Sequence, residues 1–291
     1  MIPKPVVNRF AYQNGIDLHS AQQDVILVYA LDALHKGGAL EGLAFKGGTF
    51  LRKVILGRDG RFSEDLDFTE DGLGKRIGPT MSKALEVTHH GVSFHLDEPR
   101  ATRDRTWATT VRYGHEWDEG TFSLEVSTRE RVCLPPESRR LLPEPYFGDL
   151  PFTPSPVRCM APPEALAEKL RALQQRDSER DLFDIIRYAS RNIPKALVRL
   201  VATVKLYRTH EPFRPEAILE KLRSGRKDWS ALHQLLGKKD IGGWNAQCRK
   251  AAERLRFLTD LTDFEKALIV DCRRHRRARE IDAEIARTLA S

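Results

Sequence analysis

The chain has 291 residues, 41% of them hydrophobic, and a formal net charge of +7, enough apolar material for one large domain or two modest ones. Its four cysteines, Cys133, Cys159, Cys248 and Cys272, lie far apart with no Cys-x-x-Cys pair and no histidine at finger spacing, so neither a zinc site nor a disulfide framework is expected. Neither the N-terminal MIPKPVVNRFAYQ nor VILVYALDAL, interrupted by Asp32, reads as a signal peptide or membrane span, so a cytoplasmic protein without a membrane partner is expected.

In chain order, residues 20–36 place Val25, Val28, Tyr29, Leu31 and Leu34 on a broad stripe and predict a buried helix that stops at Gly37-Gly38. LAFK at 43–46 predicts a strand, Gly47-Gly48 a tight turn, and TFLRKVIL a helix capped by Thr49. From Arg61 to about Val157 the period changes to two, in FSEDLDF, GVSFHLDE, TWATTVRYG and TFSLEVSTRE. These runs predict a small sheet, mostly antiparallel in its second half. The proline-rich LLPEPYFGDLPFTPSPV is the best boundary, dividing the chain into residues 1–157 and 158–291. Helical segments follow it, and the last is expected to run over 264–290 and to carry the dense basic run Arg273 to Arg279. The split is also one of charge, because residues 1–150 carry −3 and residues 151–291 carry +10. One reading puts metal-binding acids in the first half and a polyanion surface in the second; ordinary solvated helical faces explain the basic half equally simply.

RFSEDLDF carries the strongest chemical signal. In a strand Ser63, Asp65 and Asp67 share one face, while Phe62, Leu66 and Phe68 share the other. Two carboxylates about 6.5 to 7 Å apart at the backbone can hold Mg²⁺, or they can be the polar face of an exposed strand. FSLEVS repeats the design and offers Glu125 as a third acid if the two strands are neighbours, or as a solvent-facing glutamate. The turn Lys46-Gly47-Gly48-Thr49 supplies exposed amides at a helix N-terminus, a suitable seat for nucleotide phosphate. Finally, Lys169 and Asp184 are 15 residues apart, about 22 Å on one unbroken helix, so they can cooperate only across a bend. Asp177 or Ser178 could cap the second helix of such a pair, Ser178 with Asp181 at capping-box spacing; surface ion pairs on an amphipathic helix pair are the other reading.

Together FKGGTFLRKV, RFSEDLDF, LEVSTRE and EALAEKLRALQQRDSERDLFDI resemble, in order and spacing, the AbiEii/AbiGii nucleotidyltransferase toxins, which include the MenT toxins, within the DNA polymerase β-like superfamily. The resemblance covers about Leu43 to Asp184. It implies an α+β fold, with a nucleotidyltransferase core on a small mixed sheet and a C-terminal helical bundle. It also implies transfer from a nucleoside triphosphate, with Mg²⁺ or Mn²⁺ as cofactor, to RNA, foremost the 3′ end of transfer RNA, and neutralisation by a cognate antitoxin. Position by position it marks Asp65 and Asp67 as metal ligands, with Glu125 as a third, and Lys46, Gly47, Gly48, Thr49 and Ser63 as nucleotide contacts. Lys169 and Asp184 join Asp65 and Asp67 as catalytic residues. A transferase acting on a small molecule such as an antibiotic, and a silent RNA-binding protein of this fold, are the competing readings.

Overall fold

The computed structural model describes residues 1–101, 106–224, 229–239 and 243–290. Two compact units emerge: Met1–Val132 with Pro136–Met160 and His233–Lys239, and Cys133–Pro135 with Ala161–Leu232 and Asp240–Ser291.

The first unit opens with α1 (Lys4–Asn14) and α2 (Leu18–Lys36). The Asp17 carboxylate accepts the Ser20 N–H at 2.6 Å and starts α2; Gly38, at φ +74°, follows its end. Between these caps α2 is hydrophobic on nearly every side, and residues 20–34 are all buried. The chain continues through β1 (Leu43–Lys46), the short α3 (Gly47–Phe50) and one π-helical stretch, Leu51–Leu56. It then forms β2 (Leu66–Glu70), α4 (Ile77–Leu85), β3 (Thr88–His89), β4 (Val92–Leu96), β5 (Arg100–Ala101), β6 (Thr106–His115), β7 (Asp118–Ser127), β8 (Glu137–Arg139) and β9 (Val157–Cys159).

These strands make one mixed sheet in the order β3-β4-β6-β7-β2-β1-β9-β8, with β5 beside β6. The expected antiparallel half is present in β3, β4, β6 and β7. At the centre β2 runs antiparallel to β1 and parallel to β7. Leu66 opposite Leu124, and Phe68 between Phe45 and Val126, form a fully buried face. That burial pins the register, because a slip of one residue would turn Asp67 inward. The strand predicted over 62–68 begins only at Leu66. Residues 61–65 approach it as a non-strand segment, tied at the Phe62 N–H to the Leu235 carbonyl at 2.8 Å.

The second unit is helical: α5 (Pro162–Gln175), α6 (Glu179–Tyr188), α7 (Lys195–Arg208), α8 (Pro215–Ser224), α9 (Ser230–Leu236, grouping with the first unit from His233), α10 (Trp244–Arg254), α11 (Asp263–Asp271) and α12 (Ile281–Leu289). Residues 197–207 of α7 are all buried, among them Lys205, whose ammonium lies 2.8 Å from Glu164 and 3.3 Å from Glu168. The single final helix expected over 264–290 is in fact two. Asp271 accepts the backbone N–H groups of Arg276 at 2.7 Å and Arg277 at 3.2 Å, and the Tyr207 hydroxyl at 3.1 Å. His275 takes φ +52° and stacks on Tyr207 with ring centroids 4.4 Å apart. A side-chain cap and a left-handed residue thus outweigh helix propensity, so Arg273 to Arg279 sit on a connection rather than a helix. Among the described residues no helix is long and apolar enough to cross a membrane.

Candidate active site

In the first unit, strand register assembles the site. Lys46 on β1 lies opposite Asp67 on β2, and Asp67 lies opposite Glu125 on β7. Directly opposed residues share a face, so lysine and the two acids form one row across three strands. The structure therefore brings Glu125 to Asp67, with backbones about 4.8 Å apart. Asp65 and Asp67 flank fully buried Leu66 and are themselves half-buried.

Gly47 has φ +79°, and the Asp67 side chain packs so closely on it that an added Cβ would stand 2.8 Å from the Asp67 carboxyl carbon. A Cβ on Gly48 would stand 2.5 Å from an Arg61 guanidinium nitrogen and 2.9 Å from the Ser63 hydroxyl. The glycine pair thus lets one backbone turn lie flush against an acid on one side and a cation with a hydroxyl on the other. Arg61 was missed by sequence reasoning, although it stands two residues before Ser63. The residue is 5% exposed, and its guanidinium donates to the Phe62 carbonyl at 3.2 Å.

Thr49 does not cap a helix, because α3 already begins at Gly47 with Lys46 as its cap residue. Its buried hydroxyl instead donates to the Asp65 carbonyl, tying the turn to the segment that presents Asp65. That hydroxyl is thereby engaged within the protein.

Gly47→Ala is expected to cost about 1 to 2 kcal/mol for the left-handed backbone alone, and it also displaces Asp67. Gly48→Ala carries no left-handed penalty and meets only the side-chain ends of Arg61 and Ser63, so it should cost less stability than Gly47→Ala while weakening nucleotide binding. Urea denaturation beside nucleotide titration checks the contrast; equal stability losses would refute it.

In the second unit a bend brings Lys169 to Asp184. Helix α5 ends at Gln175 and α6 begins at Glu179, so the Lys169 ammonium lies 2.8 Å from Asp184 and 2.9 Å from Asp181. The Ser178 capping box does not form, since Ser178 makes no side-chain cap hydrogen bond. Asp181, expected there only as a capping partner, is spent on Lys169 and on Arg176, 2.7 Å away. Its i, i+3 relation to Asp184 was the signal for a second acid on the lysine.

Burial disfavours the Asp181 carboxylate, but Lys169 and Arg176 outweigh it and hold its pKa below the usual aspartate value. A carboxyl whose folded pKa is depressed contributes stability that is fully present above its unfolded pKa, near 3.8, and is lost as pH falls through the folded value. Thermal midpoints should therefore show no contribution from Asp181 to any change between pH 7 and 5, and should fall below about pH 4. Asp181→Asn should flatten part of that acid limb; an unaltered limb would count against the pairing.

The family model for the nucleotidyl transferase AbiEii toxin of type IV toxin–antitoxin systems matches residues 29–268. The chain belongs to this family. It is a nucleotidyltransferase toxin of a type IV toxin–antitoxin system, with a cognate antitoxin as its implied partner. The fold of this AbiEii toxin is also that of MenT4, a nucleotidyltransferase toxin of Mycobacterium tuberculosis, at 28% identity and a TM-score of 0.81 over 99% of both chains. JHP933 of Helicobacter pylori is more distant, at 19% identity and a TM-score of 0.49, covering 87% of this chain and 99% of its own. Among functionally curated proteins none matches significantly.

Proposed function

We propose that this toxin transfers nucleotides from a nucleoside triphosphate to RNA, the acceptor being the 3′ end of transfer RNA, and so blocks translation. The observation that carries the reading is the Gly47-Gly48 turn pressed between the Asp67 carboxylate and the Arg61–Ser63 pair, an arrangement that seats phosphate beside an acid. The backbone amides at Gly47, Gly48 and Thr49 bind phosphate oxygens, and Lys46, Ser63 and Arg61 add charge and hydrogen bonds.

Asp65 and Asp67, with Glu125 as a third, offer only carboxylate oxygens, a hard donor set that fits Mg²⁺ or, as an alternative, Mn²⁺. When bound, the ion neutralises charge at the triphosphate. In the transfer, the acceptor hydroxyl oxygen forms a bond to the α-phosphorus, the bond from that phosphorus to the bridging oxygen breaks, and pyrophosphate leaves with the electron pair. Lys169 opposes charge on the triphosphate or leaving group, and Asp184 orients the Lys169 ammonium or accepts the hydroxyl proton. The +10 second half suits a polyanionic acceptor.

The test incubates the protein with Mg²⁺, total transfer RNA and each labelled nucleoside triphosphate separately, beside Asp65→Ala. Label on the RNA that needs both Mg²⁺ and Asp65 is the expected result and identifies the donor. Absence of label with every donor, while the folded protein still binds nucleotide, would remove transfer RNA as the acceptor and favour a small molecule or silent binding.

A further inference from the structure

Away from this site, Asp32, His89 and His90 place one ligand atom each within 4.8 Å of one another. They come from two elements. Asp32 is near the end of α2, while His89 closes β3 and His90 begins the turn into β4. His89 pairs with Val92 across the hairpin, and His90 and Gly91 take φ +49° and +79°. That is a two-residue type I′ turn, whose first position ordinarily favours asparagine, aspartate or glycine. The histidine there brings its ring to 4.5 Å from that of His89.

We propose that Asp32, His89 and His90 form a binding site for a divalent transition ion of the zinc class. The donor set is two imidazoles and a carboxylate, which suits zinc rather than magnesium and leaves a fourth position for water. The surroundings are those of a built site. The Asp32 side chain is fully buried, and its Oδ1 accepts the Ser155 backbone N–H at 3.0 Å. That fixes the carboxylate with Oδ2 turned to His89 Nε2 at 2.9 Å, the outer-shell bracing that metal-binding carboxylates use. Phe152 stacks on His90 with centroids 4.9 Å apart and meets Tyr29 edge-on at 4.8 Å, so aromatic rings bound one side of the site. Among the described residues the His90 ring nitrogens make no hydrogen bond to protein, so the ring is positioned by stacking with both nitrogens uncommitted.

One group competes. The Lys36 ammonium lies 2.9 Å from the same Asp32 Oδ2. It is half-exposed and can swing into solvent when an ion takes that oxygen. The bound ion would clip the β3–β4 hairpin, which includes an edge strand of the sheet, to α2.

The experiment titrates the EDTA-treated full chain with Zn²⁺ by calorimetry and repeats the titration with Co²⁺, following its visible absorption. One equivalent should bind, and millimolar Mg²⁺ should not displace it. His89→Ala and His90→Ala should each weaken Zn²⁺ binding at least about tenfold. Lys36→Ala should tighten it. His210→Ala is the control, since its ring stacks on His275 at 4.0 Å elsewhere in the chain and should leave the affinity unchanged. Melting in EDTA keeps the result separate from misfolding, because exposed His90 can be truncated without emptying the core. Zinc binding that is absent, or equal in wild type, His89→Ala and His90→Ala, overturns the proposal; loss only in His210→Ala does the same.

Discussion

Asp67→Asn is expected to lower nucleotidyl transfer by about a thousandfold or more, the scale on which pre-organised charge at a reacting phosphate acts, while the fold survives. Asparagine is nearly isosteric with aspartate, so the packing on Gly47 and the register with Lys46 and Glu125 persist. What disappears is a negative charge at the centre of the three-strand row. Glu125→Gln tests the row from its other end. Glu125 is exposed where Asp67 is half-buried, so water replaces it more readily and the loss should be smaller. Single-turnover transfer measured beside circular dichroism and urea denaturation separates chemistry from folding. Wild-type turnover in Asp67→Asn would remove this residue from the metal-binding role, and a Glu125→Gln loss as large as that of Asp67→Asn would make the two acids equal partners.

The sequence made Asp67 and Glu125 legible for a simple reason: alternation in LDF and FSLEVS is local, and burial of Leu66, Phe68, Leu124 and Val126 enforces it. Their adjacency depends on β2 pairing parallel with β7, a long-range choice that no local pattern encodes. Spacing alone left Lys169 and Asp184 open between a pair across a bend and surface ion pairs, and the family resemblance singled them out; the polar break between the helices is what lets the pair form. Asp181 was read as a capping partner because a serine three residues before an acid also has that spacing; the Lys169 and Arg176 cations settled which role it took. Nothing local marks Arg61, since its burial against Gly48 exists only after the chain folds back. The last helix failed for the same reason. Asp271 finds its partners at Tyr207 and at the backbone beyond Arg274, and only Tyr207, far away in sequence, makes the break worthwhile.

Lys53→Met is expected to destabilise the protein by about 3 to 5 kcal/mol, the usual cost of leaving one member of a buried ion pair alone. Lys53 and Asp24 are both 1% exposed and directly paired. Tyr146 closes the triangle, its hydroxyl 2.8 Å from each. Burial pushes that phenol well above its ordinary pKa, so it stays a donor. Burial also disfavours the Asp24 carboxylate, but Lys53 and Arg52 outweigh it and keep Asp24 ionised. Arg52, next in the chain, pairs with buried Glu144 at 2.5 Å and stacks on Phe62 at 4.9 Å.

Both cations lie on the Leu51–Leu56 π-helical stretch that continues from the Gly47-Gly48 turn. A π-turn is intrinsically costly and tends to occur at functional sites, and here two buried ion pairs hold it to α2 and to the residues around Tyr146. Without Lys53, the buried Asp24 carboxylate loses its direct ion-pair partner and keeps only the Tyr146 hydroxyl and the field of Arg52, which is itself paired to Glu144. Asp24→Asn together with Lys53→Met removes that stranded charge and should recover part of the loss, whereas two unrelated substitutions would simply add. Urea denaturation of wild type, both single variants and the double variant yields the coupling. A single-variant loss below about 1 kcal/mol would mean that water reaches the pair. Coupling without any change in nucleotide affinity would confine the cluster to stability, whereas weaker nucleotide binding in a Lys53→Met protein that still folds would make it the brace on which the glycine turn rests.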